Sequence, residues 1–80
     1  MAELISGGTI TNPSQLDNIR TTRFYEITIT DGTFRIPYGA LLCFKLGSWY
    51  KNIQIAISLT SYMIIYRIES GEGWSEWIEL

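Results

Sequence analysis

The last third of the chain, residues 62–80, narrows most strongly what this sequence can fold into. Over residues 62–68, alternate side chains are expected on opposite faces of a β-strand. One face would hold Tyr62, Ile64, Tyr66 and Ile68, whereas the other would hold Met63, Ile65 and Arg67. Since both faces are largely apolar, one sheet on its own cannot hide them both. The sequence therefore predicts that this chain is not a free monomer.

The same stretch predicts how the chain ends. Residues 70–73 read Ser-Gly-Glu-Gly, and their glycines supply the positive φ angles that a short hairpin loop requires. Trp74 and Trp77 follow at once, before a closing strand. Two large aromatic side chains beside a tight turn are able to cap a small sheet.

Upstream of this stretch, alternating and apolar segments predict further strands. They lie at residues 24–30, 40–46 and 52–59, with a shorter one at 33–36. In residues 52–59 the alternation predicts two faces. The inward set is Ile53, Ile55, Ile57 and Leu59, and the outward set is Asn52, Gln54, Ala56 and Ser58. Asp31-Gly32 is a turn dipeptide.

One short helix is predicted before the strands. Asn12 is suited to capping it, Pro13 suits its first position, and Leu16 and Ile19 would place an apolar edge under the sheet. Residues 1–11 are weakly patterned and are interpreted as a lead-in or linker, with the domain at 12–80. The prediction is a mainly β (α+β), knob-like fold with a small antiparallel sheet of about four to six strands.

Composition restricts the functional classes. The chain has 80 residues and a net charge of −2, so it forms one domain at most and does not suit nucleic acid. Its apolar runs are far shorter than the ~20 residues of a membrane span. It contains no His, which argues against His-based catalysis and most zinc or iron sites. The single cysteine, Cys43, lies in an apolar run and is predicted to be a small buried side chain.

The order of several short segments carries a family resemblance. They are residues 16–19 (Leu-Asp-Asn-Ile), 23–27 (Arg-Phe-Tyr-Glu-Ile), 40–44 (Ala-Leu-Leu-Cys-Phe), 53–56 (Ile-Gln-Ile-Ala), 63–67 (Met-Ile-Ile-Tyr-Arg) and 73–78 (Gly-Trp-Ser-Glu-Trp-Ile). Over residues 15–80 this order resembles the small knob-like domains of bacteriophage tail fibres and pyocin-type fibres. Three places depart from the pattern: Arg23 replaces the usual Gly, residues 16–18 read Leu-Asp-Asn where the family has Asp-Leu-Asn, and the tip at residues 49–51 has no fixed counterpart in the family.

The resemblance implies a virion protein made in the host cytoplasm. It would be a structural and host-attachment module of a tail fibre, trimeric, in contact with other tail proteins and able to bind bacterial surface glycans. A trimer would cover the second apolar face. The rival interpretation is a monomeric carbohydrate-binding module of a bacterial cell-wall or secreted protein. No cofactor and no metal are predicted.

Aromatic side chains beside polar ones are the predicted ligand contacts. Trp49 and Tyr50 occupy a predicted loop tip next to Lys51 and Asn52, a combination that suits a polyhydroxylated ligand. The alternative is that this tip packs on a neighbouring subunit. Trp74 is a further candidate for stacking on a sugar. For Trp74 and Trp77 the alternative is a role in the core or an interface, and their spacing sends them to opposite faces of a regular strand.

Charged residues are interpreted as structural, and no catalytic residue is predicted. Arg67 lies in an apolar strand and must be paired if it is buried, with Glu76 or Glu69 as the expected partner. A third interpretation is a small hydrolase, in which Glu26 and Asp31 would be the pair of carboxylates for glycoside hydrolysis. The serines lack a His base, so the chain is predicted not to be an enzyme.

Overall fold

The computed structural model describes residues 6–46, 51–71 and 73–80. It is mostly β, with a single six-stranded mixed sheet. The strands are β1 (Ser6–Ile10), β2 (Arg23–Thr28), β3 (Tyr38–Lys45), β4 (Lys51–Ser58), β5 (Ile64–Ser70) and β6 (Ile78–Glu79). They lie side by side in chain order. The β1–β2 pair is parallel and every later pair is antiparallel.

A 3₁₀ helix, Pro13–Asn18, connects the two parallel strands and confirms the predicted helical segment. Asn12 accepts a hydrogen bond from the Ser14 backbone at 2.8 Å, and Gln15 Oε1 accepts one from the Asn12 backbone at 3.1 Å. This reciprocal capping satisfies donors that the helix leaves free, and Pro13 needs no donor there. Leu16 is buried in the core, as predicted, and Ile19 packs against it.

The core lies between the sheet and the segments that cover one of its faces. Its buried apolar members are Ile10, Leu16, Ile27, Ile29, Ile36, Leu41, Ala56 and Ile65. Cys43 is also fully buried, as predicted, and its thiol donates to the Ile19 carbonyl at 3.6 Å. Burial raises the pKa of Cys43 to about 11, so the thiol is protonated and unreactive at neutral pH.

Glycines shape two places in the sheet. A Cβ on Gly39 would lie 2.2 Å from the Ile57 carbonyl oxygen, so only glycine permits the close approach of β3 and β4 at that point. Gly71 and Gly73 have φ angles of 98° and 100°, which confirms the predicted turn after β5.

Three sequence expectations about the elements differ from the structure. Within the predicted lead-in, Ser6–Ile10 forms edge strand β1, and Ile10 belongs to the core. No strand forms at residues 33–36: residues 33–35 are bends, and Ile36 is irregular but buried. Tyr62 lies outside β5 with a φ of 55° and is 98% exposed. The other alternations in β5 are as predicted, with Ile65 and Arg67 on the face opposite Ile64, Tyr66 and Ile68.

Candidate functional site

The sheet face that points away from the core carries apolar side chains in rows that cross the strands. The longest row is Phe24, Leu42, Ile55, Tyr66 and Ile78, which are register partners from β2 to β6. On one side of it lie Ala40, Ile57 and Ile64, and on the other lie Phe44, Ile53 and Ile68. These eleven residues are called the apolar face below.

No segment among the described residues covers the apolar face. Phe24, Ile64 and Ile68 expose 39%, 38% and 42% of their surface, while its more central members are half-buried by their own neighbours. At the β1 corner an open depression of about 350 Å³ continues the face, with Ser6, Thr9, Glu26 and Leu59 in its lining. An uncovered patch of this extent is typical of an interaction surface.

The face assignment predicted for residues 52–59 is wrong, since Leu59 is 71% exposed while Ala56 and Ser58 are buried. Ile53, Ile55 and Ile57 belong to the apolar face, whereas Asn52 and Gln54 are fully buried on the opposite one. The chain around Leu16 and Ile19 covers this face of β4 and explains why the polar side chains are the buried ones, because its backbone carbonyl groups accept hydrogen bonds there. Gln54 Nε2 donates to the Leu16 and Ile19 carbonyl oxygens at 2.8 and 3.1 Å. A buried amide is stable where its hydrogen bonds are made.

Six polar residues on the covered face form two neighbouring hydrogen-bonded groups that share a contact with the Trp74 ring, together called the polar cluster. One group is Arg20, Asn52 and Glu69, and the other is Asp17, Gln54 and Arg67. Arg20 donates to both carboxylate oxygens of Glu69 at 2.8 and 2.7 Å, and Asn52 Nδ2 donates to Glu69 at 2.9 Å. The Arg20 hydrogen bonds hold the pKa of Glu69 below its ordinary value. The bidentate geometry ties the segment after the 3₁₀ helix to β5.

Arg67 lies at the centre of the polar cluster, with neither Glu76 nor Glu69 as its ion-pair partner. Its Nη1 lies 3.0 Å from the Asp17 carboxylate, and its Nε donates to Gln54 Oε1 at 2.8 Å. Burial lowers the pKa of Arg67, and the hydrogen bond with Asp17 opposes that shift. The predicted partners were wrong because the helical segment brings Asp17 over β5.

Trp74 and Trp77 both pack on the Arg67 guanidinium, with ring centroids 4.4 and 4.7 Å from its central carbon. They are therefore not on opposite faces of a strand, because the chain between Trp74 and Ile78 is not in a strand. Trp77 also makes an edge contact with Phe34. Trp74 Nε1 donates to the Asp17 carbonyl at 3.3 Å, so the indole N–H is already engaged. The two indole rings therefore cover the Arg67 side of the polar cluster.

The predicted ligand contacts that the structure describes lie at one end of the sheet but differ in exposure. Trp49 and Tyr50 lie outside the described residues. Lys51 is exposed at the start of β4, but Asn52 is fully buried against Glu69 and offers no surface to a ligand. Trp74 is half-buried and forms an isolated antiparallel β-bridge with Glu69. Because Glu69 is the register partner of Asn52, Trp74 lies at the same end of the sheet as Lys51 and Asn52.

One exposed aromatic residue was not singled out from the sequence. Tyr62 protrudes from the turn between β4 and β5, at the end of β4 opposite Lys51. The Ser58 hydroxyl accepts from the Thr60 and Ser61 backbone N–H groups at 3.1 and 3.0 Å and so orders this turn. The Thr60-Ser61 pair was interpreted only as a turn, and the aromatic that it presents was assigned to the strand.

Glu69 makes the polar cluster sensitive to acid. Because its folded pKa is lowered, the carboxylate stabilises the fold fully above the unfolded-state pKa of about 4.3 and less as pH falls through the folded pKa. We expect Glu69→Gln to lower the melting temperature most at pH 7 and progressively less towards pH 2. Thermal melts at one fixed protein concentration measure this.

The matched control is Glu79→Gln, because Glu79 forms an exposed ion pair with Arg35. Its melting curve is expected to follow that of the wild type at each pH. An equal destabilisation by Glu69→Gln at pH 7 and pH 2 would contradict the assigned role of the Glu69 charge.

Comparisons with known proteins find no counterpart. No protein-family model, curated protein or solved structure matches this chain. In the part of the chain that the structure describes, no group of three or more Cys, Asp or Glu side chains is placed to hold a metal ion. None of the described helices is both long enough and apolar enough to span a membrane. The apolar face and the exposed aromatic residues are the features of this chain that indicate a function.

Proposed function

We propose that this chain is a non-enzymatic structural domain of a phage or prophage tail fibre that contributes to attachment to the bacterial surface. The observation that carries the proposal is the uncovered apolar face on a sheet whose other face is closed. A domain whose sheet has one covered face and one uncovered apolar face suits a part of a larger assembly better than an independent enzyme. The resemblance of residues 15–80 to knob-like fibre domains supplies the identity of that assembly.

Recognition of surface glycans is the second part of the proposal. Trp49, Tyr50 and Lys51 supply the aromatic and hydrogen-bonding groups, while Trp74 lies at the same end of the sheet as Lys51. Sugar rings present C–H faces that pack on aromatic rings, although such contacts are individually weak. Several copies in one fibre would raise the effective affinity without any further contact.

Binding to bacterial cells and to their isolated surface polysaccharides tests the proposal. We expect the labelled wild-type protein to bind a subset of strains, and the combined Trp49→Ala and Tyr50→Ala change to weaken binding about 10-fold. Tyr62→Ala is the matched control, since this aromatic residue is exposed at the other end of β4. Circular dichroism checks that each variant is folded.

The outcomes separate the candidate functions. If Tyr62→Ala lost as much binding as the combined Trp49 and Tyr50 change, the ligand contact would be assigned to the opposite end of the sheet. Absence of binding to every strain and polysaccharide would overturn the attachment role. Sugar binding by a protein that is monomeric at every concentration would favour the carbohydrate-binding module instead.

A further inference from the structure

We propose that the open edge of the sheet at β1 takes up an extended segment of another polypeptide as an added strand. That segment carries an apolar and a basic side chain two positions apart, and both enter the depression beside β1. Such strand addition is independent of the glycan binding proposed above. Three features point to it: the free edge of β1, the small side chains of β1 and the carboxylate of Glu26.

The first feature is the free edge of β1. This strand is the outermost of the sheet, and among the described residues no strand pairs with its outer side. Four of its five residues are exposed, and none of the five is charged or is a proline. Charged residues and proline commonly protect an edge, because unpaired backbone N–H and C=O groups are a template for a further strand. The opposite edge, β6, has only two residues, one of them Glu79.

The second feature is the small size of the β1 side chains that border the depression. Ser6 and Thr9 are the register partners of Phe24 and Glu26 on β2, and the register shifts at the two glycines between them. A strand added to β1 would lie about 10 Å from β2, which is two strand spacings. Since no large side chain of β1 stands on this face, a long side chain of the added strand can cross β1 and reach β2.

The third feature is the chemistry of the depression. Phe24, Ala40 and Leu59 give it an apolar lining, and Glu26 is the charged residue among its described lining residues. Within the described part of the chain, the Glu26 carboxylate has no ion-pair or hydrogen-bond partner. Phe24 and Glu26 are two positions apart on β2, which is the spacing of side chains on one face of a strand. An apolar side chain would pack on Phe24, and the next Lys or Arg on that face would pair with Glu26.

Charge distinguishes this partner from a second copy of the chain. The β1 strand reads Ser-Gly-Gly-Thr-Ile, so pairing with the β1 of another copy would bring no basic side chain to Glu26. Strand addition obtains its affinity from backbone hydrogen bonds and its specificity from pockets that receive alternate side chains. A segment with a basic residue beside apolar ones therefore matches both the edge and the depression.

Binding of short synthetic peptides tests this assignment. The probe is the blocked heptapeptide Thr-Val-Thr-Lys-Thr-Val-Thr, whose Val and Lys side chains share one face of a strand. Titration into isotope-labelled protein is expected to shift the amide signals of β1, Phe24 and Glu26 and to leave that of Lys51 unchanged. A second peptide with Glu in place of Lys should bind about 10-fold more weakly.

Two protein variants and one peptide modification make the result specific. Glu26→Lys should reverse the preference between the two peptides, whereas Glu76→Lys, at an exposed position outside the depression, should retain it. Circular dichroism checks that both variants fold. N-methylation of alternate peptide nitrogens blocks one edge of the peptide, so one methylated series should lose binding on the order of 10-fold or more while the other keeps it.

The opposite outcomes are equally clear. Absence of binding by both peptides at millimolar concentration would overturn the inference. Equal binding by both methylated series would exclude backbone pairing, and a wild type that prefers the Glu peptide would exclude the role of Glu26; either result contradicts the proposal. Attachment to bacterial cells is measured separately on the same preparations, so a negative peptide result leaves the proposed function standing.

Discussion

Replacing Arg67 by Ala is expected to lower the free energy of unfolding by about 2–4 kcal/mol, because a buried guanidinium loses its charge-assisted hydrogen bonds while its ion-pair partner Asp17 is 61% exposed. The substitution removes the Nε–Gln54 and Nη1–Asp17 contacts and the guanidinium on which Trp74 and Trp77 pack. It also leaves Gln54 Oε1 without its Arg67 donor in a fully buried position, which carries its own desolvation cost. Urea unfolding followed by Trp fluorescence measures the change.

Two companion variants make the Arg67 result specific. Arg67→Met fills much of the same space without a charge, so it should lose less stability than Arg67→Ala. Arg35→Ala breaks an exposed ion pair with Glu79 and should cost less than about 1 kcal/mol. Similar losses for Arg67→Ala and Arg35→Ala would show that the polar cluster does not stabilise the fold.

Two buried atoms of the polar cluster, Asn52 Oδ1 and Arg67 Nη2, have no hydrogen-bond partner among the described residues. These unsatisfied atoms limit the contribution of the polar cluster to the free energy of unfolding.

Replacing Leu41 by Ala is expected to lower the free energy of unfolding by about 2–5 kcal/mol. Leu41 is fully buried in β3, between its register partners Tyr25 and Ala56, so truncation leaves a cavity that these strands cannot close. In a domain of this size each kcal/mol corresponds to a melting-temperature change of about 4–8 °C. A thermal melt should therefore show a large decrease.

Leu59→Ala is the matched control for Leu41→Ala, because it removes the same atoms from a side chain that is 71% exposed. Its melting temperature should stay close to that of the wild type when both proteins are measured at one concentration. A small effect of Leu41→Ala, comparable with that of the control, would contradict the position of Leu41 in the core.

Local pattern predicted the elements of this fold well where one residue type determines geometry. Asn12 and Pro13 marked the helical segment, and the glycines at 71 and 73 marked the turn after β5, because capping and positive φ angles are local requirements. The strand assignment of β1 was missed because Ser6–Ile10 has little hydrophobic alternation; its place is fixed by parallel pairing with β2.

Alternation alone could not predict which face of β4 is buried. Period-two patterning separates Asn52 and Gln54 from the isoleucines but does not say which set is covered. That depends on acceptors 17 to 38 residues away in the chain, at Glu69 and Leu16. The register itself held a clue, since Gln54 pairs with Arg67 and Asn52 with Glu69 across β4 and β5. A row of polar pairs in two apolar strands indicates a buried polar network rather than an exposed face.

Proposals about the site depended on exposure, which the sequence does not give. Trp74 and Trp77 were predicted to diverge, yet both contact Arg67, because the chain after Gly73 leaves the regular strand geometry. The excess of apolar residues over what one face can bury was visible from the sequence, and the structure describes it as the apolar face. Alternation was enough for that, because it shows that both faces of a strand are apolar without saying which of them is buried.

The strictly sequential strand order affects how the chain reaches its native state during synthesis. Each strand can pair with the one made just before it, so the sheet can grow at one edge as the polypeptide leaves the ribosome. The Arg20–Glu69 contact joins residues 49 positions apart and cannot form until β5 has emerged. During synthesis the Gln54 amide can reach its acceptors at Leu16 and Ile19 as soon as β4 is made, whereas the Asn52 amide lacks its Glu69 acceptor until β5 has emerged. The last third of the chain therefore completes the hydrogen bonding of residues made much earlier.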